Sequence, residues 1–207
     1  MGPLIVALYT LSMLFILAFS LGQLHLTWLY RKSRKNKTVR NDEYSPDVLW
    51  PNVTIQLPVY NEKYVIERLI DAVTLFDYPK NLLHIQVLDD SNDETVEIIA
   101  GKVAEKKSEG YDIEQIRRPV RQGFKAGALQ YGLKQTNNEF LAIFDADFIP
   151  EKDFFKTTLP WFSDQNIGMV QTRWGHLNKN FSLLTRLQAF GLDGHFSVNN
   201  RPKPRRL

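Results

Sequence analysis

Two carboxylates one residue apart, Asp145 and Asp147, close an apolar run of five residues, Phe140-Leu141-Ala142-Ile143-Phe144. If that run is a strand, its side chains alternate, and both acids point to one side of its tip. Paired carboxylate oxygens there suit a hard divalent cation with open positions for phosphate oxygens. An isolated D-x-D serves equally as a solvated turn, so the reading depends on its surroundings. Asp89 and Asp90 follow a second apolar run, residues 84–88. They could accept hydrogen bonds from a nucleobase N–H or ribose hydroxyls, or cap the following helix, although Asp93 is better placed for that cap. Lys125 follows Gly123 at the start of a helical stretch, where a cation and unpaired backbone N–H groups together attract phosphate. An ordinary surface lysine is the alternative.

The elements that would position these residues alternate. Residues 53–57 read as a strand ending at Pro58, and residues 62–76 carry apolar residues at helical spacing. A strand at 84–88, a helix from Asp93 and Glu94 to about Ser108, and a strand at 112–116 follow. Residues 125–135 read as a helix, 140–144 as a strand and the stretch from Pro150 to Phe162 as a helix. The periodicity also predicts a strand at 168–172 and a helix over 181–196. Alternation with short loops implies an α/β fold with a mostly parallel sheet covered on both faces. Ligands bind beyond the carboxyl ends of such strands. Three polar clusters fall at those ends: Tyr60-Asn61-Glu62, Asp89-Asp90-Ser91 and Asp145-Ala146-Asp147.

Composition removes several alternatives. The 207 residues contain no cysteine, and the four histidines show no zinc-ligand spacing, so disulfides and thiolate metal centres are excluded. Neither a P-loop nor a G-x-G-x-x-G fingerprint is present. The net charge of +3 includes ten basic residues in two acid-free segments, 31–40 and 201–207, and without them becomes −7. A nucleic-acid-binding domain would instead carry a basic globular face, so no nucleic-acid partner is expected.

Residues 1–30 carry no charged side chain, and RKSRKNK follows directly. The apolar stretch is long enough to cross a bilayer as a helix, with Trp28 and Tyr30 at the interface. Positive charge after the span, rather than before it, argues against a secretory signal. It places the N-terminus outside and residues 31 onward in the cytoplasm of a cell membrane, most simply a bacterial inner membrane, with the basic cluster touching anionic lipid. The organisation expected is a transmembrane helix over 1–30, a basic linker over 31–52, a domain over 53–200 and a basic tail over 201–207.

The succession LPVYNE (57–62), VLDDSND (87–93), RQGFKAGAL (121–129), FDADF (144–148) and MVQTRWGHLN (169–178) resembles family 2 glycosyltransferases of the GT-A fold. Within that family it is most similar to the membrane-bound branch of cellulose synthases, mannan synthase-like and glucosylceramide synthase-like enzymes. The resemblance covers about residues 50–200. It implies an inverting transferase that moves a hexose from a nucleotide-diphosphate sugar, UDP-glucose or GDP-mannose, to a glycan or lipid acceptor with Mg2+ or Mn2+. Pro58, Tyr60 and Glu62 would line the base and ribose pocket, and Asp90, with Asp89, would contact the base. Lys125 would approach the diphosphate. Asp145 and Asp147 would form the D-x-D, Asp147 being the direct metal ligand. Gln171, Thr172, Arg173 and Trp174 would lie near the donor sugar or the acceptor path. The family's general base belongs to a T-E-D-type motif followed by Q-x-x-R-W and further membrane helices, and the sequence contains none of these. The expectation is a truncated chain that holds the donor site, without its catalytic base.

Overall fold

This computed structural model of the chain describes residues 2–34, 50–172, 175 and 179–199. The chain divides into two units, Asp42–Val170 and the combination of Met1–Asn41 with Gln171–Leu207.

Four parallel strands organise the first unit in the order β3-β2-β1-β4. They are β1 (Val53–Val59), β2 (Leu83–Asp89), β3 (Asp112–Ile116) and β4 (Phe140–Ile143). Odd-numbered residues of β1, among them Val53, Ile55 and Leu57, share one face with Ile85, Val87 and Ile113, all buried. Helices α2 (Ile66–Thr74) and α3 (Thr95–Ser108) cover that face through Ile66, Leu69, Ile70, Val73, Ile99 and Val103. Burying each such side chain contributes about 1.5–3 kcal/mol, so this layer is the main source of cohesion. The even-numbered face is more polar and carries α4 (Phe124–Leu133). There the Gln56 side-chain amide donates to the side-chain Oε1 of Gln86, at 3.0 Å, and to the backbone carbonyl of Leu129, at 3.4 Å. Gly132 lets α4 come this close, since a Cβ there would lie 2.7 Å from the Gln56 amide nitrogen. The predicted parallel sheet with helices on both faces is therefore present.

Differences from the expected elements have local causes. β1 runs through Pro58 to Val59. The Gln56 carbonyl accepts from Phe144 N–H on the β4 side. Alternation turns Pro58 to that side as well, and without an N–H it cannot extend the ladder. Pairing of β1 with β4 stops there, and the chain is released into the turn that carries the D-x-D. Helix α2 begins at Ile66 instead of Glu62, because residues 60–65 form a rim loop with Asn61 in the left-handed region, φ 58°. Beyond Pro150 the helix is split into α5 (Phe154–Thr158) and a 3-10 turn, Leu159–Ser163, where Pro160 cannot continue the α-helical ladder. The strand expected at 168–172 does not form: these residues are irregular, Met169 is exposed, and none of the four strands pairs with them.

In the second unit α1 (Gly2–Arg34) is one continuous helix, and α6 (Leu183–Asn199) touches it. Residues Gly2–Leu29 are long and apolar enough to cross a membrane, with mean hydropathy 2.4. The hydroxyls of Thr10, Ser12, Ser20 and Thr27 each donate to the carbonyl four residues earlier, at 2.8–2.9 Å. Their polarity is thereby satisfied within the helix.

Candidate functional site

The carboxyl ends of β1, β2 and β4 open onto a cleft of about 340 Å³ lined by Pro58, Val59, Tyr60, Glu62, Asp90, Arg121, Lys125, Ala128, Asp145, Ala146 and Asp147. Pro58 is in β1 itself, and Tyr60 and Glu62 belong to the loop that follows. That loop is tied to the loop after β2. Asn61 N–H donates to Ser91 Oγ at 3.0 Å, the Asn61 side-chain amide donates to Asn92 Oδ1 at 2.9 Å, and Asn92 backbone N–H donates to Asn61 Oδ1 at 3.1 Å. The two rim segments are thus fixed to each other before any ligand arrives.

Asp89 and Asp90 separate into different roles. The Asp89 carboxylate is fully buried and accepts from Ser91 N–H at 2.9 Å and Gln115 at 2.8 Å, with Arg117 3.5 Å away. It is turned away from the cleft and ties β2 to β3. Asp90 lines the cleft and is held bidentately by Arg118, Nε to Oδ1 at 2.7 Å and Nη2 to Oδ2 at 2.6 Å. Hydrogen bonding to Asp90 raises the Arg118 pKa further, so the guanidinium is always charged. Asp93 accepts from Thr95 N–H at 3.0 Å, one residue ahead of the N-cap position of α3, which is Glu94.

Arg118 also reaches the segment that launches α4. Its Nη1 donates to Gln122 O at 2.6 Å and its Nη2 to Phe124 O at 2.8 Å. Between those carbonyls lie Gly123, φ 73°, and Phe124, φ 47°. Glycine takes that region freely, but for phenylalanine it costs on the order of 1–3 kcal/mol and persists only when neighbouring contacts impose it. Lys125 follows at once and pairs with Asp145 across the cleft. Arg121 lies 3.4 Å over the Tyr60 ring and 3.7 Å from Asp90 Oδ2.

The two D-x-D carboxylates share the cleft, but not as strand neighbours. β4 ends at Ile143, and Phe148 N–H donates to Asp145 O at 3.0 Å, so the pair sits on the turn beyond the strand. Among the described residues, no group of three or more His, Asp or Glu side chains could hold an ion unaided. Two carboxylates fit a divalent ion whose remaining ligands are phosphate oxygens and water, the usual manner of Mg2+. Gln171 and Thr172 are exposed and irregular and fall in the other unit, while Arg173 and Trp174 lie outside the described residues. Sequence reasoning did not single out Arg118 and Arg121. The available signal was position: both follow Ile116, at the carboxyl end of a third strand of the same rim.

Comparison with known proteins bears on the family and the fold. The chain is 40% identical over 172 residues to glucomannan 4-beta-mannosyltransferase 2 of Arabidopsis thaliana, covering 81% of this chain and 32% of the relative. Against a probable glucomannan 4-beta-mannosyltransferase 2 of Oryza sativa subsp. japonica, identity is 43% over 154 residues, with 72% and 27% covered. The chain thus spans about a third or less of these relatives. The fold superposes on the mannosyltransferase PcManGT of Pyrobaculum calidifontis, solved with GDP-Man and Mn2+, with TM-score 0.61, 27% identity, and coverage of 73% of this chain and 44% of that one. The pattern of Glycosyl transferase family 2 matches residues 54–206, which takes in the four strands from the second residue of β1 onward and the whole cleft, and the chain belongs to that family.

Proposed function

We propose that this chain carries the donor-binding portion of a membrane-anchored, metal-dependent, inverting mannosyltransferase that uses GDP-mannose and a glycan acceptor. The observation that carries the proposal is the meeting of Asp90, Lys125, Asp145 and Asp147 in one cleft with Tyr60 and Arg121. Asp90 would receive the base end of the donor, and Lys125 would leave Asp145 to meet the diphosphate. A divalent ion held by Asp145 and Asp147 would offset the charge on the departing diphosphate. The mannosyltransferase relatives and the GDP-Man complex favour GDP-mannose over UDP-glucose. Anchoring would rest on α1, which is uncharged through Tyr30 and ends on the basic residues Arg31, Lys32 and Arg34, an order that favours a cytoplasmic cleft.

A second reading is a nucleotide-sugar binder without transfer, favoured because every role proposed for the cleft residues is in donor binding. Calorimetry on the detergent-solubilised chain tests the first part of the proposal. GDP-mannose should bind in the presence of Mn2+, more tightly than UDP-glucose, and binding should vanish with EDTA. Failure to bind either nucleotide sugar, or binding indifferent to EDTA, overturns it. Transfer of mannose to a mannan oligosaccharide separates enzyme from binder.

A further inference from the structure

Arg118 is not among the residues that line the cleft, yet it touches both ends of it. Its side chain is 7% exposed, as is that of Asp90, so the pair is shielded from solvent. All three guanidinium nitrogens are engaged, two on Asp90 and two on the carbonyls of Gln122 and Phe124, with Nη2 shared. Those carbonyls flank the two left-handed residues from which Lys125 emerges. A planar fork can make this set of bonds, whereas a lysine ammonium is a point charge that cannot span it.

A second observation points the same way. A Cβ at Gly127 would fall 2.0 Å from Gln122 O and 2.6 Å from Arg118 Nη1. Gly127 N–H donates to Gly123 O at 2.9 Å, so the first turn of α4 closes directly against the arginine. Only a residue without a side chain at 127 leaves Arg118 room to hold both partners.

We propose that Arg118 is a positioning residue that couples the two ends of the donor site: it fixes the Asp90 carboxylate, at the end facing the nucleoside, relative to the strained start of α4, which aims Lys125 at the diphosphate. Occupation of one end then organises the other, and Gly127 is the permissive partner of the clamp. The inference rests on the donor-site reading above.

A double-mutant cycle on the full chain in detergent, read by calorimetry with GDP and Mn2+, tests it. Lys125→Met should weaken GDP binding about tenfold in the wild-type background and less than threefold in Arg118→Lys, because a lysine that is no longer aimed has less to lose. Gly127→Ala should reduce the Lys125→Met effect in the same way and provides an independent route if Arg118→Lys folds poorly by circular dichroism. An arginine that only supports the fold would lower GDP affinity and leave the Lys125→Met ratio unchanged in both backgrounds, which overturns the proposal. No binding of GDP by the wild-type chain overturns the donor-site reading itself, and the clamp with it.

Discussion

Two clusters of opposite charge lie on the sheet domain, and only one has the makings of a site. On the outer surface, Asp71 of α2 meets Lys102 and Lys106 of α3 at 2.9 and 3.0 Å, with Glu105 and Glu109 completing the group. At the carboxyl rim, Asp90, Arg118, Arg121, Lys125 and Asp145 form a comparable set. The first joins two helices over a filled core and does not line the rim cleft. The second is spread over segments that follow three different strands, and all its members but Arg118 line about 340 Å³ of open space. Density of charge therefore says little about function. What distinguishes the rim is that its strands end without closing on each other, so its pairs can be exchanged for a ligand.

The comparison is broken most directly at Asp147. Asp147→Asn should abolish Mn2+-dependent binding of GDP, with a loss beyond the roughly 10–100-fold expected when only an outer-shell partner of a metal is removed. The fold should be retained by circular dichroism, because Asp147 is exposed on a turn. Unchanged GDP affinity by calorimetry would return the D-x-D to the status of a solvated turn.

Exchangeability itself is sharpened by Lys125→Met. Losing the cation should weaken GDP binding about tenfold, a loss of roughly 1.4 kcal/mol. The same change frees Asp145 and should strengthen binding of Mn2+ alone, seen by electron paramagnetic resonance titration. A fall in both affinities would mean that the Lys125–Asp145 pair is structural, like the pairs of the outer cluster.

At the outer cluster the expectation reverses. Asp71→Asn should leave GDP affinity unchanged and lower stability by about 0.5 kcal/mol, a value discounted because Asp71 is 42% exposed. In a chain of this size that is a melting shift of about 1–2 °C. A tenfold change in GDP affinity would erase the distinction between the clusters.

The smallest effect is on pH dependence. Burial pushes the Asp71 pKa up, but hydrogen bonds from Lys102 and Lys106 outweigh it and leave the value below the ordinary 3.8. The stabilisation is therefore complete above that ordinary value and fades as pH falls through the lower folded value. Melting curves of wild type and Asp71→Asn should differ at pH 6 and draw together as pH falls below 3.8. A gap that widens on acidification would contradict the assigned direction.

Much of this was legible in residue order. The runs at 53–57, 84–88 and 112–116 lie in strands, 112–116 coinciding with β3, and the run at 140–144 is a strand up to Ile143. Asp90, Lys125, Asp145, Asp147, Pro58, Tyr60 and Glu62 were named from the chain and line one cleft. Asp89 shows what adjacency alone cannot resolve. It is indistinguishable from Asp90 in sequence, yet strand alternation sends its carboxylate inward to Ser91 and Gln115. Arg118 and Arg121 were not legible as site residues, because an arginine after a strand is common and the carboxylate that each one meets, Asp90, is 28 or 31 residues away.

The sequence by itself determined the alternation of strand and helix, the apolar N-terminal helix and the set of acids at the strand ends. These are local matters of period and composition, decided by which side chains can leave water. Tertiary structure alone decided which acid faces the cleft, that the D-x-D rides on a turn freed where Pro58 ends a ladder, and that one arginine spans both ends of the site. The reason is that a hydrogen bond is a relation between positions brought together by sheet register and helix packing. Neither partner carries a mark of it before the chain has folded.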